Sequence, residues 1–178
     1  MTTAEYFATL ETVRPTELAY GVLRVADAPV VRHQRVVRDL TIVLTAFTKE
    51  HGLGEVLPAP IDVVLDGERH LVVQPDVLFV SAARLEIVGD RVEGAPDLAI
   101  EVLSPRPRIG LVEEKVTWYA RYGVRECWLV DLNRRQIAVL TFVDGRVDSR
   151  TSFDDQSSIR STVLEGLSMR PAEVLGWW

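Results

Sequence analysis

At 178 residues the chain is about one typical domain long, and its 47% apolar and 26% charged content excludes disordered, collagenous and coiled-coil classes. A net charge of −6, from 20 basic and 26 acidic residues, argues against a surface that is basic all over, while leaving room for a local basic patch. The single Cys127 excludes an internal disulfide, no apolar run approaches the roughly 18 residues of a membrane helix, and Met1–Leu10 carries no basic-then-apolar leader. The expectation is one cytoplasmic domain spanning residues 1–178.

In chain order, Thr3 is placed to cap a short helix whose apolar face holds Tyr6, Phe7 and Leu10. Glu17–Val25 alternates as a strand does. Within Val31–His51, Val36, Val37, Leu40, Val43, Leu44 and Phe47 fall at the spacing of an amphipathic helix, and Gly52 is placed to end it. Glu55–Leu57, Ile61–Leu65 and Leu71–Val80 read as strands, the last two joined by an Asp66-Gly67 turn. Leu98–Leu103 is a nearly continuous apolar strand, which implies cover on both faces. Val112–Tyr122 is helical in pattern and stops at Gly123. Cys127–Leu132 and Gln136–Phe142 read as a hairpin around Asn133, Gly145 opens another turn, and Arg170–Trp178 reads as short helix or ordered coil. Strands on both sides of two long helices predict an α/β fold, a mixed sheet flanked by helices.

Carboxylates inside apolar strands are the informative feature. Alternation places Asp97, Ala99, Glu101 and Leu103 on one face of their strand, with Leu98, Ile100 and Val102 on the other. Burying Glu101 there is costly unless it is paired or holds a metal; an exposed edge strand or a structural ion pair is the alternative. Asp76, followed by Val77-Leu78-Phe79-Val80, raises the same question independently. Two carboxylates on adjacent strands suit Mg²⁺, or Mn²⁺ in its place, with the Val102 carbonyl as a further oxygen ligand. All basic residues except Lys49 and Lys115 are arginine. Lys115 lies 14 residues after Glu101, on the following helix, where its stem can reach back to orient a water for attack on a phosphodiester.

The run Gln74-Pro75-Asp76-Val77, then Gly94-Ala95-Pro96-Asp97-Leu98-Ala99-Ile100-Glu101-Val102-Leu103-Ser104-Pro105, then Glu114-Lys115 with Tyr119 and Gly123-Val124, then Glu126-Cys127-Trp128-Leu129-Val130-Asp131, resembles the bacterial Uma family. Its members are grouped with restriction endonucleases of the PD-(D/E)XK nuclease superfamily. The similarity extends back to Glu17-Leu18 before Gly21 and to His33, so it covers nearly the whole chain. The resemblance implies a restriction-endonuclease-like mixed sheet of four or five strands flanked by helices, metal-dependent phosphodiester cleavage, and nucleic acid, DNA foremost, as partner. It assigns Asp76, Glu101 and Lys115 as catalytic; Glu17, His33, Asp97 and Tyr119 are candidates for supporting places beside them, His33 equally for a nucleic-acid contact or for a capping or surface histidine, and Asp97 lies about 13 Å from Glu101 along the strand.

The chain departs from the superfamily motif at Leu103, where a lysine is usual; the family takes that lysine from the next helix, here Lys115. It departs from the family at Ser104-Pro105-Arg106-Pro107 and at Leu111, where hydroxyls and an Asp are common. Arg106 and Arg108 instead offer charge to a phosphate backbone. Residues 101–135 carry seven basic groups against five acidic ones, enough for a local phosphate track or for an ordinary solvated face. Serine hydrolysis and a zinc site find no supporting spacing of Ser, His or Cys, and Cys127 reads as core. Trp177 and Trp178 suggest a homodimer contact. The alternatives to a nuclease are an inactive nuclease-fold module binding nucleic acid or a protein, suited by Pro107 and Leu111, and a hydrolase of a small phosphorylated compound.

Overall fold

A computed structural model describes residues 1–9, 15–103 and 109–176. Leu10, Ser104, Arg106, Pro107, Arg108, Trp177 and Trp178 lie outside the described residues, and with them the expectations placed on them. Among the described residues no helix is long and apolar enough to cross a membrane.

Helix α1 (Thr3–Ala8) is capped by Thr2 and not by Thr3. The Thr2 hydroxyl accepts from the Glu5 amide at 3.1 Å while the Glu5 carboxylate accepts from the Thr2 amide at 2.7 Å, a reciprocal capping box. The predicted strand Glu17–Val25 is two strands, β1 (Thr16–Ala19) and β2 (Val22–Val25), folded back on one another through Tyr20-Gly21. Helix α2 (Val31–His51) matches its periodicity, burying Val36, Val37, Leu40 and Leu44 and stopping where Gly52 turns left-handed at φ 62°.

The remaining elements are β3 (Gly54–Pro58), β4 (Val63–Asp66), β5 (Leu71–Val73), β6 (Val77–Ser81), a 3-10 turn at Ala82–Ile87, β7 (Val92–Glu93), β8 (Leu98–Leu103), α3 (Ile109–Tyr122), β9 (Glu126–Asp131), β10 (Gln136–Val143), β11 (Arg146–Phe153) and α4 (Pro171–Leu175). The expected strand Leu71–Val80 is also divided. Its halves belong to different sheets, because Gln74-Pro75-Asp76 carries the chain from one to the other and Pro75 has no N–H to continue a ladder.

Two mixed sheets result. The larger has order β11-β10-β9-β8-β6-β3 with β8 and β9 parallel; the smaller has order β2-β1-β5-β4-β7 with β4 and β7 parallel. The six-stranded sheet is the expected mixed sheet, extended by β11; the five-stranded sheet is an addition to that expectation. On one face of the large sheet Leu98, Ile100 and Val102 pack with Val36, Leu40 and Leu44 of α2 and with Val174 and Leu175 of α4. On the other, Ala99, Cys127 and Leu129 pack with Val116 and Tyr119 of α3 and with Ala19, Val63 and Leu71 of the small sheet. Each fully buried Leu contributes roughly 1.5–3 kcal/mol, so the alternation of β8 holds α2 on one side and α3 on the other. Tyr6 of α1 covers the far side of the small sheet with Leu18, Val64 and Val72.

Candidate active site

The alternation of β8 that buries Leu98, Ile100 and Val102 under α2 turns Glu101 toward α3, among groups where an unpaired charge would be costly. Lys115, about one and a half turns into α3, meets it there. Its Nζ lies 2.7 Å from Glu101 Oε1, donates to Glu17 Oε1 at 2.8 Å and reaches the Gln74 carbonyl at 3.3 Å, so all three ammonium protons have acceptors. One helical turn on, the Tyr119 hydroxyl donates to the same Glu101 oxygen at 2.5 Å. Glu17 arrives from β1 of the small sheet and is steadied by the Gln74 amide, which donates to its Oε1 at 2.8 Å.

Asp76 reaches this group through the sheet register. Strands β6 and β8 are antiparallel with Val77 opposite Ile100, which sets Asp76 level with Glu101 where β6 begins. Asp76 Oδ2 accepts from the Val102 amide at 2.7 Å, a side-chain oxygen taking the place of a ladder carbonyl. From the first turn of α2, His33 Nε2 lies 3.3 Å from the same oxygen.

The protonation states follow from burial and charge. Burial works against a charged Lys115, but Glu101 and Glu17 overcome it and hold the ammonium well above its ordinary pKa. Burial pushes Glu101 up to about 7; Lys115 opposes this, while Asp76 and Glu17 reinforce it. Tyr119 is raised by burial and by Glu101, so it remains a donor. His33 is raised: burial opposes protonation, but its bond to Asp76, with the Val102 backbone and Glu101 acting in the same direction, prevails.

The structure thus brings together Asp76, Glu101 and Lys115 with Val102, Glu17, His33 and Tyr119. Asp97 stands apart, just before β8, where Oδ2 accepts from the Ser81 amide at 2.8 Å and Oδ1 faces Arg84 at 3.2 Å and Arg125 at 3.4 Å. Burial would raise Asp97, yet the Ser81 amide and Arg84 hold it below the usual carboxylate range. Gln74, in the run Gln74-Pro75-Asp76-Val77, has no titratable group to mark it in the sequence; its backbone holds Lys115 and Glu17, and its side-chain amide nitrogen donates to Asp62 Oδ1 at 2.9 Å.

Three carboxylates, Glu17, Asp76 and Glu101, face one lysine and one histidine in a largely buried cluster. Hydrogen bonds and ion pairs between described residues fall on one oxygen of each acid, Asp76 Oδ2, Glu101 Oε1 and Glu17 Oε1. Among the described residues no three His, Cys, Asp or Glu side chains form a ready-made cage. A cation held here would have to bind through one or two of these carboxylates and retained waters, as Mg²⁺ commonly does.

Fold and site together define a two-sheet α/β protein with an acidic, lysine-bearing centre at the end of β8. Five chains of known structure match it. One, described as "a putative nuclease belonging to DUF820 from Anabaena variabilis ATCC 29413", superposes with a TM-score of 0.86 over 98% of this chain and 97% of that one. Their identity is 16%, so the likeness shows the fold. No curated protein matches the chain. Residues 4–172 match the family described as "Uma2: Putative restriction endonuclease", and the chain belongs to that family.

Proposed function

We propose that the protein is a Mg²⁺-dependent endonuclease that hydrolyses phosphodiester bonds of nucleic acid, DNA in the first instance. The observation that carries this reading is the buried meeting of Glu101 with Lys115 at the strand end where Asp76 also arrives. Family membership and the nuclease-like fold support it.

Asp76 and Glu101 would hold the metal, with the Val102 carbonyl as a third oxygen. Mg²⁺, or Mn²⁺ in its place, supplies Lewis-acid stabilisation of the charge that develops on the phosphoryl group. Lys115 stays protonated and therefore acts as a fixed positive charge that orients the attacking water and meets the developing phosphoryl charge, not as a base. Tyr119 and Glu17 hold the two ends of that lysine–glutamate pair, and His33 holds the Asp76 carboxylate.

Purified protein incubated with single- and double-stranded DNA and with RNA, in Mg²⁺, Mn²⁺ or EDTA, tests the proposal. Metal-dependent cleavage that Glu101→Ala abolishes is expected. Cleavage that survives in Glu101→Ala, or no cleavage of any substrate in either metal, overturns it.

A further inference from the structure

The β1–β2 turn and the outer face of α3 form a second feature beside the site. The two-residue loop Tyr20-Gly21 connects Ala19 to Val22, with φ 50° at Tyr20 and 84° at Gly21, the turn type that favours Asn-Gly or Asp-Gly. At the same geometry between β10 and β11 the chain does place Asp144-Gly145, with φ 49° and 73°. A tyrosine at a positive-φ position is strained, because its Cβ crowds the backbone, and such strain concentrates where a side chain has a task. The turn is held from both sides: the N-terminal ammonium donates to the Gly21 carbonyl at 2.9 Å and the Gly21 amide to the His70 carbonyl at 3.2 Å.

Held in this way, Tyr20 is 43% exposed. It stands edge-on to Trp118 at 5.8 Å between centroids, with its hydroxyl 3.5 Å from that of Tyr122. Arg24 lies 5.4 Å from the Trp118 centroid and Arg121 lies 5.9 Å from that of Tyr122. Two acids are near: Glu114 is engaged by Arg24 at 2.6 Å, and Asp66 faces Arg69 at 3.8 Å and also lies against the Tyr122 hydroxyl. Tyr122 is seven residues beyond Lys115 on α3, about 10 Å along the axis.

We infer that Tyr20 is a stacking platform for an unpaired nucleobase of a DNA strand lying across the site, with Arg121 beside its phosphate. An exposed aromatic side chain beside rings that carry arginines is what sequence-tolerant binding of single strands uses, and each stacked base adds roughly 5- to 150-fold in affinity. The inference rests on the nuclease reading for its choice of ligand, and it names the form of substrate: a single strand, an unpaired flank or an opened duplex.

The test is binding in EDTA, which separates it from cleavage. Full-length protein is titrated with a single-stranded oligonucleotide carrying 2-aminopurine and with the same sequence as a duplex, following probe fluorescence and anisotropy. Expected are quenching and tighter binding for the single strand, a roughly 5- to 150-fold loss in Tyr20→Asn, near-normal binding in Tyr20→Phe, and a salt slope reduced by about one in Arg121→Ala. Tyr20→Asn suits the turn, so its folding, followed by melting, separates lost stacking from lost structure. Wild-type quenching and affinity in Tyr20→Asn, or no preference of the native protein for the single strand, overturns the inference. Single-strand binding that depends on Tyr20 supports it even where the cleavage assay is negative, so the two readings fail separately.

Discussion

Replacing Lys115 by Met removes the one ammonium that Glu101 and Glu17 share at 2.7 and 2.8 Å while keeping a stem of similar length. Both carboxylates then remain in a pocket where the lysine side chain was 10% exposed. Removing one partner of a buried ion pair typically costs about 3–5 kcal/mol, most of it the stranded charge. For a chain of this size that is a fall in Tm of about 6–20 °C. The penalty depends on pH with a definite sign. Glu101 is an acid whose folded pKa, about 7, lies above its unfolded value, so it withholds least stability when protonated and most when ionised. The Lys115→Met penalty is therefore smaller at pH 5 than at pH 8. Adding Glu101→Gln to Lys115→Met removes one stranded charge and returns part of the loss, giving a coupling of about 1–3 kcal/mol in a double-mutant cycle. Urea unfolding of the four proteins at both pH values, repeated with Mg²⁺, measures all of this, and a metal that binds the acids raises the midpoint of the native protein as its concentration rises. A Lys115→Met penalty below about 0.5 kcal/mol, the range of an ordinary surface substitution, or a cycle that is additive, refutes the reasoning.

Tyr119→Phe removes the donor to Glu101 Oε1, and His33→Gln the group that holds Asp76. Each is expected to weaken Mn²⁺ binding by roughly 10- to 100-fold, measured by calorimetry, with far-UV spectra unchanged. Asp97→Asn is expected to cost roughly 1–3 kcal/mol at neutral pH in urea melts and to leave Mn²⁺ affinity unaltered. Because Asp97 has a lowered pKa, its contribution is present above the ordinary carboxylate pKa of about 3.9 and lost as pH falls through the folded value. Stability of Asp97→Asn should accordingly decline less steeply than that of the native protein between about pH 5 and 2.

Glu101 was legible because a charged residue interrupts a nearly continuous apolar run, and Lys115 because lysine is scarce in an arginine-rich chain. The same reasoning passes over Glu126, whose carboxylate is fully buried and accepts from Trp128 Nε1 at 2.6 Å, the Ser161 hydroxyl at 2.6 Å, and the Thr162 amide and hydroxyl at 2.7 and 2.8 Å. Four neutral donors satisfy that acid and bind the segment before α4 to β9. A buried carboxylate is thus a question, and its partners supply the answer.

Periodicity alone determined α2 from Val31 to His51 and the two-faced strand β8, because both bury their apolar sides against whatever covers them and need no knowledge of the partner. Local turn chemistry within one apolar run was harder to read. Tyr20 stands where a hairpin turn usually has Asn or Asp, so Tyr20-Gly21 split an expected strand, and Pro75 divided another between two sheets. Only the tertiary structure decided which acids meet. Glu17 and Lys115 are separated by 98 positions, and Asp76 and Glu101 share a level because β6 pairs with β8 in one register. Spacing along a chain sets the face a side chain takes, while the meeting of distant side chains is set by how sheets and helices stack, which is why Asp97, on Glu101's own face and four residues away, stands outside the group that Glu17 joins.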